Sequence, residues 1–340
     1  MSRRWLARAG LGLCLAACSA HGQQSTSETL ADAQVAPDAA ASGEHWPLLK
    51  ASQIGEPVEV SKAFTLAEGP IWDACGARLL FTDVTAHTIH ALGANGKITS
   101  YFKQTQYANG LAFAADGALL MAEMGGPMGG RISRLSRTKQ ASVVVDQDAA
   151  GKPFNTTDDL VQRSDGTIYF TDPTFPYGPF TAFSLSARPV YRLAPGKTKR
   201  KLVQEATAGG PNGIELSPDE KTLYVAETFN GDVLQFDVNP DGSLVPAGTL
   251  VTGLASPDSM CVDAQGNVYV GVTSGLQVVA PDGTKLKLIP TAPAKAVTNC
   301  TFGGDDGKTL YITAWTTLFK VAAMPIPGLD WQRNQKLSCP

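Results

Sequence analysis

The chain has 340 residues, 43% hydrophobic and 17% charged, which suits a folded domain with a sizeable core and excludes a disordered chain. A net charge of −3 leaves no basic footprint, so no nucleic-acid partner is expected. The 34 glycines and 22 prolines fit a turn-rich all-β fold.

The first residues, Met1-Ser-Arg-Arg-Trp-Leu-Ala-Arg8, are basic, and the apolar run Ala9 to Ala17 is too short to span a membrane as a mature helix. Leu15-Ala16-Ala17-Cys18 resembles a bacterial lipobox, so residues 1–18 are expected to be a lipoprotein signal with Cys18 lipidated. An ordinary signal cleaved near Ala20 is the alternative. In either case the protein is expected in the bacterial periplasm; on the lipobox reading the lipid is its sole membrane anchor. Residues 19–46, rich in Ala, Ser, Gln and Asp without an apolar period, read as a disordered tether. Residues 47–323 then carry the fold, and 324–340 form a tail.

Residues 47–323 are built from one repeat. In each copy a polar residue precedes a short apolar strand, a turn follows, and then a second strand rich in aromatic or β-branched residues. The clearest copy runs from Asp158-Asp159-Leu160 through Asp165-Gly166 to Ile168-Tyr-Phe-Thr-Asp172, and Asp-Gly between apolar runs is a hairpin signal. The polar anchors are Glu68, Asn109, Asp158, Asn212, Asp258 and Asn299, spaced 41, 49, 54, 46 and 41 residues apart. That is the period of a four-stranded propeller blade. Six anchors predict six blades. The last copy lacks a strand, and Pro57 to Phe64 supplies one, so this N-terminal strand is predicted to close the ring.

In a propeller the first strand of each blade lines the axis, so the six anchors should meet at one mouth. All six carry oxygen and none is basic, and three carboxylates so confined would repel one another. A hard divalent cation relieves that repulsion, and oxygen ligands favour Ca²⁺. A ring of solvated strand caps is the competing reading.

Of six cysteines, Cys14 and Cys18 lie in the signal region. A Cys75–Cys339 bridge would tie down the tail, although spacing alone does not fix connectivity. Cys261 and Cys300, in neighbouring inner strands, read as buried thiols, with a bridge between them as the alternative. His87 and His90 fall in an outer strand of the first blade and read as packing or surface residues. With no histidine at an anchor, a Ser-His-Asp hydrolase is disfavoured. Gly125 to Gly130 reads as a loop, and the aromatic run Phe175 to Phe180 as an insertion that either covers the mouth or packs as an exposed loop on its own blade.

Glu68-Gly69-Pro70, the run from Asp165 to Pro173, Pro211-Asn212-Gly213, Pro257-Asp258, and Asn299 with Phe302-Gly303-Gly304 together resemble the SMP-30/gluconolactonase/luciferin-regenerating-enzyme family, over Glu56 to Ala323. The resemblance implies a six-bladed propeller with a divalent cation, usually Ca²⁺ (otherwise Zn²⁺, Mn²⁺ or Mg²⁺), held by Glu68, Asp158, Asn212 and Asp258. It implies a sugar-type lactonase in which the cation polarises a lactone carbonyl and Asp258 activates water. Asp159 would orient Asp158, while Asn109, Asn299 and the Ser259 hydroxyl would face substrate or water. This chain departs from the family pattern in two places. Asp158 stands where Asn is usual, and Ser259 where Gly is usual. Two alternatives keep the fold: a phosphotriesterase-like hydrolase with Asp258 as nucleophile, and a non-enzymatic binding propeller.

Overall fold

The structure, a computed structural model, describes residues 48–126, 129–175, 188–196, 201–204, 209–291 and 296–339. The signal, Cys18 and the tether lie outside them, as does the aromatic run beyond Phe175.

Strands form wherever the sequence alternates short apolar runs with Gly- and Asp-rich turns. They pair antiparallel into six sheets of four. In the first blade the strands are Ala67–Asp73, Arg78–Asp83, Thr88–Gly93 and Ile98–Lys103. Burial falls along that order. Every residue of Ala67–Asp73 is buried, whereas Ile98–Lys103 is half-buried or exposed. The six first strands neighbour one another in a closed cycle, with that of the sixth blade returning to that of the first. The fold is therefore a six-bladed β-propeller with first strands around the axis. Side chains of adjacent blades interlock. Tyr269, Leu276 and Val278 of the fifth blade pack with Ile312 and Phe319 of the sixth, all nearly or fully buried. Each such side chain contributes roughly 1.5–3 kcal/mol of hydrophobic stabilisation.

The ring closes as the repeat predicts. Val58–Ser61 pairs antiparallel with Thr317–Val321, Val58 opposite Lys320 and Ser61 opposite Leu318. The sixth blade thus takes its outer strand from the start of the domain, which joins the two ends of the repeat in one sheet.

Three sequence expectations change. Cys261 and Cys300 form a disulfide, Cα atoms 5.6 Å apart, because inner strands of adjacent blades approach to bridging distance. The Gly125 to Gly130 run is mostly strand, not loop. The strands Leu119–Gly126 and Gly129–Leu135 run into it and pair Gly126 with Gly129. A Cβ on Gly125 would stand 1.6 Å from the Gly129 carbonyl oxygen, so only glycine allows that approach. His87 sits in the turn before its strand, at φ 53°, its ring centroid 4.1 Å from that of Tyr107. His90 lies in the third strand as expected, against Phe81.

The tail turns back onto the ring. A bridge joins Cys339 to Cys75. The short helix Leu329–Asn334 lies across the far ends of the inner strands. There Asn334 Nδ2 donates to the Trp72 carbonyl at 3.0 Å and Trp331 Nε1 to that of Gly304 at 2.8 Å. Arg333 pairs with Glu215 at 2.9 Å. This end of the axis is plugged, and the anchors lie at the other.

Candidate active site

Five of the six anchors are buried, at 3–7% exposure, and Asp258 is half-buried; all six stand at or just before the start of an inner strand. Local backbone explains how they are aimed. The first blade breaks register immediately after Glu68, and in the second and fourth blades the break spans Asn109 and Asn212; such bulges redirect side chains. A left-handed residue stands two places before three anchors: Tyr107 at φ 58°, Gly210 at 72° and Ser256 at 49°. Glycine follows the same three bulged anchors because the next inner strand lies against it. A Cβ on Gly110 would meet Asp159 Oδ1 at 2.1 Å, and one on Gly213 would meet Ser259 Cα at 2.3 Å. Buried threonines tie neighbouring blades at this level. The Thr82 hydroxyl donates to the Asn109 carbonyl at 3.0 Å, and that of Thr171 to the Asn212 carbonyl at 2.7 Å.

Four carboxylates share this end of the axis. Burial, then the Asp258 and Asp158 charges, push Glu68 well above the usual carboxylate range. Burial, then Asp258 and Asp159, do the same to Asp158. Burial raises Asp258 to about 7 and Asp159 to about 7. Their hydrogen-bond partners are neutral. Asn109 Nδ2 donates to Asp158 Oδ1 at 2.5 Å, and the Gly69 N–H to Glu68 Oε2 at 3.0 Å. Asp159 Oδ1 accepts the Leu160 N–H at 2.9 Å, and the Ser259 hydroxyl also binds this carboxylate. Asp159 and Ser259 thus face each other across the third and fifth blades.

The Asn212 amide lies beside Asp258 and donates Nδ2 to the Thr228 hydroxyl at 3.1 Å. Its Oδ1 is buried with no hydrogen-bond partner among the described residues. Asn299 is set apart from the carboxylates by its bonding: its Oδ1 accepts the Cys300 N–H at 2.7 Å, which leaves Nδ2 for another partner. Among the described residues, no three His, Cys, Asp or Glu side chains are by themselves arranged to hold a metal.

A second set of acids escaped the sequence reading. Asp83 ends its second strand, Asp172 directly follows its own, and Glu123 lies near the end of Leu119–Gly126; each holds the loop that enters its own blade. Asp83 takes the Leu66 N–H at 3.0 Å, Glu123 the Gln106 N–H at 2.7 Å, and Asp172 the Asn155 N–H at 3.0 Å. Their recurrence at the second strand end was a readable signal. These residues fix where each anchor begins.

Residues 66–316 match the family model described as SMP-30/Gluconolactonase/LRE-like region. A gluconolactonase from Zymomonas mobilis is 32% identical over 298 residues, covering 79% of this chain and 82% of its own. A regucalcin from Xenopus laevis is 27% identical over 300 residues, 82% and 90% of the two chains. The solved structure of a gluconolactonase from Xanthomonas campestris superposes with a TM-score of 0.72 at 30% identity, over 80% of this chain and 90% of that one. With most of the domain matched by the family model, and the axial site built at corresponding positions of successive blades, the chain belongs to the SMP-30/gluconolactonase/LRE-like family.

Proposed function

We propose that the protein is a divalent-cation-dependent lactonase acting on sugar-type lactones, with Glu68, Asp158, Asn212 and Asp258 holding the ion. One observation carries this reading: the buried Glu68 and Asp158 carboxyls are both pushed up by the neighbouring Asp258 charge, beside an Asn212 amide oxygen that has no hydrogen-bond partner among the described residues. Burying such groups without compensation is costly. The donor set is oxygen alone, which fits a hard cation, Ca²⁺ first and Mg²⁺, Mn²⁺ or Zn²⁺ after it. The gluconolactonases among the relatives supply the substrate class.

When bound, the cation would supply Lewis-acid polarisation of a carbonyl. The side chains do the rest. Asp258 accepts the proton of the attacking water, and the neighbouring Asn212 amide keeps its carboxylate oriented. Asn109 spends one Nδ2 proton on Asp158, leaving Oδ1 as an acceptor for a substrate hydroxyl. Asn299 offers the complementary donor through Nδ2. Asp159 is occupied by Leu160, Ile214 and Ser259 and holds the inner strands in place.

The test is hydrolysis of a panel of aldonolactones by purified protein, with and without chelator. Activity should vanish on chelation and return with added cation. Asp258→Asn should cost about 10²–10⁴-fold in kcat. Full activity in EDTA, or in the Asn variant, would remove the proposal.

A further inference from the structure

Two large aromatic side chains stand exposed beside the anchors, at the open mouth. Trp315 is 41% exposed and Phe229 56% exposed. Each occupies the turn between the second and third strands of its blade, the sixth and the fourth. Backbone bonds tie both to the site. The Ala67 N–H, one residue before Glu68, donates to the Trp315 carbonyl at 2.6 Å. Thr228, one residue before Phe229, links Asn212 to the Pro257 carbonyl next to Asp258. The two rings therefore flank the mouth from different blades.

Their backbone and packing argue that the rings are kept for contact with a ligand. Trp315 opens a two-residue hairpin between Ala314 and Thr317, at φ 52°. Such a position favours Gly or Asn, and a bulky aromatic there is a strained choice. Strain of this kind clusters at functional sites. Trp315 makes no ring contact among the described residues. Phe229 is braced in place, its ring edge-on to Phe175 at 5.7 Å and beneath the Arg188 guanidinium at 5.0 Å.

We propose that Trp315 and Phe229 are specificity walls for a lactone bearing an apolar ring or chain that projects out of the mouth. The inference rests on the lactonase reading for the lactone itself. Polar anchors on the floor suit a small oxygen-rich ring, whereas exposed aromatic faces at the rim suit a C–H-rich substituent. The preferred substrate class is thus a substituted lactone, larger than a bare lactone ring.

Two measurements on the cation-loaded full chain separate this inference from the lactonase reading. The first is kcat/KM for phenyl-substituted δ-valerolactone relative to δ-valerolactone. The second is calorimetric affinity for the two corresponding lactams, which are not hydrolysed. The wild type should prefer the phenyl compound at least about tenfold in both, the scale of one well-packed aromatic contact. Trp315→Ala and Phe229→Ala should each erode that preference, and the double variant should bring it within about twofold of unity. Trp315→Gly adds a readout that a structural role would not give: melting temperature should hold or rise as strain is relieved, while the preference falls. Hydrolysis of neither lactone alongside tighter binding of the phenyl lactam would sink the lactonase reading and support the walls. Equal affinities, no binding of either lactam, or an unchanged ratio in the double variant would overturn the walls.

Discussion

At the scale of single residues, the site is a protonation problem. Carboxyl groups titrate near 4 in an unfolded chain, whereas burial lifts Asp258 and Asp159 to about 7 and Glu68 and Asp158 well above the usual range. Between those values the folded, ion-free protein binds more protons than the unfolded chain. Its stability should therefore fall as pH rises from about 4 through about 7. Asp83 works the other way, held down at about 2 by His90 and Thr65 against the effect of burial, but its contribution changes below that window. Chelated protein should thus melt lower at about pH 8 than at about pH 5.5, and added cation should raise the melting point more at the higher pH. Differential scanning calorimetry at the two pH values checks this, and a flat profile would contradict it. The anchors were legible as residues because each opens a repeat. Asn212's unpartnered oxygen was not, since no spacing tells which amide atom finds a partner.

At the scale of elements, the inner strands are aligned by glycines, threonines and one disulfide. Gly213→Ala would force Cβ to 2.3 Å from Ser259 Cα, and backbone there cannot give way cheaply. The expected cost is about 1–3 kcal/mol in urea unfolding, with weakened cation binding because Asn212 adjoins the displaced bond. The Cys261–Cys300 bridge, 39 residues apart in sequence, joins the strands that carry Ser259 and Asn299. In the chain-entropy model a loop of that length contributes about 4 kcal/mol. The Cys261→Ala/Cys300→Ala variant should lose up to that amount in urea unfolding, and no loss would contradict the clamp. Strand positions and the closing strand followed from alternation and period. The bridge was open as an alternative because both cysteines fall in inner strands of neighbouring blades, but spacing alone does not tell how closely those strands approach.

Across the whole molecule, the repeat leaves both ends of the axis open, and the tail closes one. Arg333 reaches Glu215, whose buried carboxyl is lifted to about 8 chiefly by burial and by Asp330. At about pH 9, where Glu215 is ionised beside it, Arg333→Met should destabilise by about 3 kcal/mol, the low end for breaking a buried pair, since the Arg333 side chain keeps 20% of its exposure. Chemical denaturation measures this, and a neutral outcome would show the plug to be ornamental to stability. The tail helix was illegible in the sequence. It is short, stands outside the repeat, and owes its place to the ring beneath it more than to its own propensity.

The shared ion is the claim on which the rest depends, and calorimetric titration of chelated protein with Ca²⁺ tests it most directly. The proposed ion site predicts one binding event per chain, weakened at least about tenfold in each of Glu68→Gln, Asp158→Asn, Asn212→Ala and Asp258→Asn. Glu123→Gln, which alters a loop clip away from the proposed ligands, should bind nearly as the wild type does. An absence of cation binding, or a site indifferent to all four substitutions, would contradict the account.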